Sequence, residues 1–144
     1  YYIKEIQDLT SKEDIAKVLI QTIYQGTQNS SDDTYQSAKE LADSVGATFY
    51  QIDINEVVES YKGLIEGVID RKLTWEQDDI ALQNIQARVR APSVWLLTNL
   101  SGHLLLATSN RSEVAVGYAT MDGDTAGSIS PIAGIDKNWL RKWL

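Results

Sequence analysis

Two short runs rich in β-branched and aromatic residues, 18–24 (VLIQTIY) and 48–54 (TFYQIDI), constrain the fold of this chain more than any other feature. Side chains of these types pack well on a pleated surface, so both are predicted strands. Between them lie a polar loop, 26–33, and a segment, 34–45, with Ala38, Leu41, Ala42 and Val45 at helical spacing. Strands that alternate with helices predict a layered α/β fold around a parallel sheet.

The rest of the chain continues the alternation. Ile3, Ile6 and Leu9 repeat at helical spacing within 1–16, and Thr10 to Asp14 forms a start signal for a short helix over roughly 11–17. Ser31 or Asp32 can cap the helix at 34–45, and Gly46 is a natural stop. An amphipathic helix is predicted over 56–69, with Val57, Val58, Tyr61, Leu64, Ile65, Val68 and Ile69 apolar. A connector over 71–75 leads to a long helix over 78–100, whose apolar positions are Ile80, Ile85, Val89, Val94, Trp95 and Leu97 and which Pro92 should kink or break. Ser101-Gly102 ends it, 103–107 reads as a third strand, 127–136 as loop, and Asp136 as the cap of a last helix.

Composition narrows the function. The 144 residues suit one domain, and 43% hydrophobic with 23% charged content is ordinary for a globular protein. A net charge of −7 disfavours a nucleic-acid partner but leaves room for a local basic pocket. With no cysteine there are no disulfides, thiolate zinc sites or thiol nucleophiles, which fits a cytoplasmic protein. One histidine, His103, makes multi-histidine metal sites and a serine triad hard to build; at the start of its strand it reads as structural. No apolar run approaches the roughly 20 residues of a membrane span, and no signal peptide stands at the start. The four tryptophans read as core or interface. The chain opens on Tyr1-Tyr2 without methionine and stops in what reads as an unfinished helix, so a piece of a longer protein is expected.

Three stretches could carry chemistry. The loop Gly26-Thr27-Gln28-Asn29-Ser30-Ser31 is either a strand-end contact for a nucleotide or a turn with a helix cap. In Asn84-Ile85-Gln86-Ala87-Arg88-Val89-Arg90, Asn84 and Arg88 share a helix face while Arg90 projects elsewhere. Arginine forks suit phosphates or carboxylates, the alternative being a solvated face paired with Glu76, Asp78 or Asp79. The third stretch runs from an apolar strand into a polar, acidic end over 104–124, where open α/β sheets place their ligands. Asn110 and Glu113 have capping-box spacing, so Glu113 is either a cap or a ligand for a hard cation. Asp124 is either a turn residue or a group that handles a proton or an ammonium ion. A calcium loop starting at Asp122 is rejected, because its twelfth position would be Ala133.

Taken together and in order, GTQNSS followed by AKELA, ALQNIQARVR, LLLATSNRSEVAVGYATMDGD and SPIAGIDK resemble the synthetase domain of NAD synthetases, most closely the glutamine-dependent branch. The resemblance runs from about residue 18 to 144. It implies a flavodoxin-like, ATP pyrophosphatase-type (adenine nucleotide alpha hydrolase-like) parallel sheet flanked by helices, incomplete in this chain. It also implies a ligase that uses ATP and Mg2+ to adenylate nicotinic acid adenine dinucleotide, from which ammonia, free or released from glutamine, displaces AMP to give NAD. By motif, Thr22, Tyr24, Asn29 and Thr108 fall at ATP contacts, and Lys137 at a catalytic position reaching the ATP phosphates. Asn84, Arg88 and Arg90 fall at dinucleotide contacts, Glu113 at a magnesium ligand, and Asp124 at the catalytic aspartate that receives ammonia. The family's dimers, which share the dinucleotide site between subunits, imply a homo-oligomer, without nucleic-acid or membrane partners.

Two departures qualify this. Met121 stands in a segment where some members carry a lysine, and the family's SGGxDS pyrophosphate loop does not occur in these residues. The expectation is therefore that 1–144 is a single partial synthetase domain, without that loop or the glutamine amidase domain, and inactive by itself. The rival readings are a non-catalytic nucleotide-binding α/β domain and an ATP pyrophosphatase ligase with another acyl acceptor.

Overall fold

The computed structural model describes residues 6–143. The chain divides into two compact units, Tyr1–Glu56 and Val57–Leu144. In the first, β1 (Gln21–Gly26) and β2 (Thr48–Asp53) pair in parallel, in register from Gln21 opposite Thr48 to Gly26 opposite Asp53. Antiparallel strands can turn back on themselves, but parallel ones need a crossover. That crossover is α2 (Asp32–Ser44), started by Ser31, whose Oγ accepts the Thr34 N–H at 3.3 Å. It stops at Gly46, whose φ of +72° strains any side chain and whose Cα faces the Glu13 backbone. Tyr24, Tyr35 and Phe49 pack edge to face in series, with centroids 5.4 and 5.9 Å apart, and tie α2 to both strands.

The first predicted strand is displaced. Helix α1 (Lys12–Leu19) absorbs Val18 and Leu19, because Ser11 caps its start and the Ile20 N–H closes its last turn on the Ala16 carbonyl at 2.7 Å. A capped helix outweighs the strand preference of two β-rich residues, and β1 begins at Gln21. Part of the helix expected over 1–16 lies outside the described residues.

Helix α3 (Asn55–Ile69) leads into the second unit. After it, α4 (Trp75–Arg88) and α5 (Arg90–Ser101) replace the single long helix. The break falls at Val89, so Pro92 sits in the first turn of α5, where a missing N–H costs no hydrogen bond. Within α4 it is Leu82 and Ala87 that are buried, while Ile80 is exposed. Gly102 ends α5 in the left-handed region.

The expected third strand over 103–107 reduces to one parallel bridge between Leu106 and Ile129, made by Ala107 N–H to Ile129 O (2.8 Å) and Ser128 N–H to Leu105 O (2.9 Å). A ladder grows only where both chains run on extended, and here the partner turns away at Pro131. Gly127 makes the bridge possible, since a Cβ there would collide with the Ala107 backbone. The short helix α6 (Arg111–Ala115) follows, and α7 (Lys137–Trp143) starts at Asp136, whose Oδ1 accepts the Trp139 N–H at 2.8 Å. None of the four tryptophans enters the core; Trp139 stacks on Trp143 at 5.9 Å. No helix among the described residues is long and apolar enough to cross a membrane.

Candidate active site

A cleft of about 390 Å³ in the second unit brings Asn84, Arg90 and Asp124 together, with Tyr118 and Thr120 on its wall. Asn84 comes from the middle of α4 and Arg90 from the first turn of α5. Continuous helical spacing would point Arg90 away from Asn84. Val89 between the two helices keeps helical backbone angles (φ −65°, ψ −13°), and the Arg90 guanidinium folds back to donate to the Gln86 carbonyl at 2.9 Å. Arg90 thus projects elsewhere than Arg88, as its spacing implies, but lines the same cleft as Asn84. Asp124 arrives on the loop after α6. Its Oδ2 accepts the Thr120 N–H at 3.1 Å, and its own carbonyl accepts Ser109 Oγ–H at 3.1 Å. The cleft thus carries a cationic fork on one side and a carboxylate on the other, a pattern suited to a ligand with both an anionic and a hydrogen-bond-donating end.

Arg88 is held apart. Its Nε–H donates to the Met121 carbonyl at 3.1 Å, and it lines a second, larger cleft of about 670 Å³ with Tyr61, Pro92, Trp95 and Asp122. Asn84 and Arg88 do share a face, as their spacing requires, since they meet the consecutive residues Thr120 and Met121. The loop divides that face between two clefts. A carbonyl anchor of this kind belongs to every residue type, so no sequence signal could have marked it.

Glu113 and Lys137 form a second constellation. Asn110 caps α6, and Glu113 returns the bond by accepting the Asn110 N–H on Oε2 at 3.3 Å, a complete capping box. Its Oε1 lies 3.6 Å from Lys137 Nζ. Lys137 is set at the start of α7 by its own N–H, which donates to Ser112 Oγ at 3.0 Å, and the neighbouring Arg111–Asp136 ion pair (3.1 Å) fixes α7 against α6. Among the described residues no group of three or more acidic or histidine side chains is placed to hold a metal ion. Magnesium nonetheless commonly takes only one or two carboxylates, with phosphates and waters completing its shell. The loosely paired Oε1 of Glu113 fits that sparser role. Thr108 is exposed just ahead of α6.

The remaining candidates lie in the first unit, along β1 and its following loop. Thr22 Oγ1–H donates to the Thr48 carbonyl at 3.1 Å, and the Tyr24 hydroxyl bonds Thr34 Oγ1 at 2.9 Å. Asn29 is exposed, with its N–H on Thr27 Oγ1 at 3.3 Å. Thr22 and Tyr24 therefore help to fasten β1 to its surroundings.

The parallel strands with their crossover helix, and the polar residues gathered beyond the bridged segment, define an α/β fold of the ATP pyrophosphatase type. Residues 9–144 match the family described as NAD synthase, and the chain belongs to that family. Its structure is similar to the crystal structure of a glutamine-dependent NAD(+) synthetase from Cytophaga hutchinsonii, with a TM-score of 0.89 and 59% identity over 96% of this chain and 24% of that one. It is also similar to a glutamine-dependent NAD+ synthetase from Acinetobacter baumannii solved in complex with adenosine diphosphate, with a TM-score of 0.76 and 27% identity over 85% of this chain and 22% of that one. In sequence it is 40% identical over 123 residues to the glutamine-dependent NAD(+) synthetase of Aquifex aeolicus, covering 85% of this chain. The chain spans only 21% of that relative's length.

Proposed function

We propose that this chain is part of the ATP-using domain of a glutamine-dependent NAD synthetase. The parent protein amidates nicotinic acid adenine dinucleotide with ATP, through an adenylated carboxylate that ammonia attacks. The observation that carries the reading is the cleft in which Asn84, Arg90 and Asp124 converge, in a chain of this family. Arg90 and Asn84 grip the anionic dinucleotide, with Arg88 contributing from the adjoining cleft. Asp124 supplies the acceptor for ammonia. A carboxylate there attracts an ammonium ion and takes up the proton released as the amine attacks. Lys137 stabilises charge on the ATP phosphates. Thr22, Tyr24, Asn29 and Thr108 contact the nucleotide, a role supported by the adenosine diphosphate bound in the Acinetobacter relative.

Magnesium, held by Glu113 together with substrate phosphates, would supply charge neutralisation at the departing pyrophosphate. The SGGxDS loop, the glutamine amidase domain and a dimeric, cytoplasmic parent complete the reading, and residues 1–144 form one incomplete synthetase domain.

Given ATP, Mg2+, nicotinic acid adenine dinucleotide and glutamine, the parent protein is expected to release NAD, AMP and pyrophosphate in equal amounts, measured by liquid chromatography. Formation of ADP and phosphate, or no turnover by folded protein, would overturn the reading.

A further inference from the structure

Thr120 touches two of the polar side chains of the first cleft, Asn84 and Asp124, through two different atoms. Its Oγ1 lies 3.1 Å from Asn84 Oδ1, and its backbone N–H lies 3.1 Å from Asp124 Oδ2. The two contacts are unlike in chemistry. The backbone bond survives any substitution except proline, whereas the bond to Asn84 depends on the hydroxyl.

A carboxamide has a donor end and an acceptor end of nearly the same shape, so what an asparagine offers a ligand depends on which end its protein neighbour takes. A hydroxyl facing Oδ1 can satisfy that oxygen only by donating to it. Asn84 then turns its Nδ2 end, with two N–H donors, to the ligand. We propose that Thr120 is a positioning residue that holds the Asn84 amide in this orientation, so that Asn84 and Arg90 present donors together to an anionic substrate group while Asp124 stays the cleft's acceptor. The proposal rests on the reading of this cleft as the dinucleotide site.

The loop is built to hold Thr120 in place. Gly123 lets it approach α4 so closely that a Cβ there would stand 3.0 Å from the Ala87 backbone and side chain. The Gly123 N–H closes a turn on the Thr120 carbonyl at 3.1 Å, and Arg88 ties the next residue through the Met121 carbonyl. The backbone that carries the hydroxyl is thus held against α4 by the residues that follow it.

Thr120→Val removes the hydroxyl at nearly constant volume and keeps the N–H for Asp124. Without the hydroxyl, Oδ1 has lost its donor, and the amide can turn that oxygen toward an anion. In the parent protein, the KM for nicotinic acid adenine dinucleotide is expected to rise about fivefold to tenfold, the worth of one hydrogen bond. The KM for ATP is expected to move less than twofold, and kcat to fall by less than the KM rises. Thr120→Ser, which keeps the donor, is expected to restore the dinucleotide KM to within about twofold of the parent value.

An unchanged dinucleotide KM in an active Thr120→Val protein would overturn the proposal. So would a serine variant as impaired as the valine one, or equal rises in both KM values together with a lowered melting temperature, which would make Thr120 merely structural. Failure of the unsubstituted parent to make NAD would instead overturn the reading of the cleft, and the two failures are therefore distinct.

Discussion

At the scale of single residues, Glu113 shows how one side chain can serve the fold and still be available for chemistry. Its Oε2 closes the capping box with Asn110, and only Oε1 faces Lys137. Sequence spacing allowed a cap or a ligand; in the structure the cap uses one oxygen and leaves the other. Glu113→Gln separates the two uses, because a glutamine oxygen completes a capping box as well as a glutamate does but is a poor magnesium ligand. In the parent protein the expected outcome is a melting temperature within about 2 °C of the original and a synthetic rate lower by about 100-fold, with a raised magnesium requirement. Glu113→Ala is expected to lose both the rate and about 1 kcal/mol of stability. A fully active glutamine variant would leave Glu113 as a cap alone. Calorimetry and a magnesium titration of the rate make the comparison. The same scale shows what spacing cannot reach. Asn84, Arg90 and Asp124 stood out as residue types, but Thr120 and the Met121 carbonyl did not, because an ordinary threonine and a backbone oxygen in an aperiodic loop carry no pattern.

At the scale of elements, the turn between α3 and α4 is held by charge. Asp78 accepts both Arg71 guanidinium nitrogens, at 2.8 and 2.6 Å, and the Thr74 N–H at 3.0 Å, while Glu66 takes Lys72 at 2.6 Å and the Leu73 N–H at 2.9 Å. The Arg71 hydrogen bonds, then the Thr74 N–H, lower the Asp78 carboxyl from 3.8 to about 2. A group whose folded pKa is depressed stabilises the fold above its unfolded value and loses that contribution as pH falls through its folded one. The contribution of Asp78 is therefore complete above about pH 4 and gone below about pH 2. Asp78→Asn is expected to melt below the parent protein at pH 7, with the gap closing between pH 4 and pH 2. A gap that stays constant with pH would show that the pair contributes nothing through charge. Measuring melting temperature against pH for both proteins decides it. Elements whose signals are local were legible in the sequence: of the two cap candidates Ser31 and Asp32 it is Ser31 that caps, and the Gly46 and Gly102 stops and the Asp136 cap fall where read. Those decided by competition were not. A capped α1 overrode the strand preference of Val18 and Leu19, and the break came at Val89 because Pro92 is best placed inside a first turn. The strand at 103–107 needed a ladder partner that a local pattern cannot supply.

At the scale of the whole molecule, the proportions of the chain are those of a part. Among the described residues its sheet has two strands, and a parallel sheet is ordinarily covered on both faces. In the second unit Val68, Leu100 and Val116 are 82%, 79% and 78% exposed, and Leu106 of the isolated bridge and Leu104 beside it are exposed too. Isolated apolar side chains on a surface are ordinary, but so many within one unit mark surfaces suited to being covered. The family resemblance was legible because it rests on four ordered motifs. A phosphate cradle is a contiguous glycine-rich loop and none occurs in these residues, so an incomplete site is the expectation to test. Residues 1–144 produced alone are therefore expected to bind an apolar fluorescent dye and to form no NAD with ATP, Mg2+, nicotinic acid adenine dinucleotide and ammonia. The parent protein is expected to turn over under the same conditions. Ammonia in place of glutamine matters to the comparison, since it removes any need for an amidase and leaves the phosphate loop as the part in question. NAD formation by the segment alone would mean that the groups gathered around Asp124, Glu113 and Lys137 suffice to hold and activate ATP. That result would remove the loop from the proposed chemistry while leaving the cleft's role in binding the dinucleotide intact.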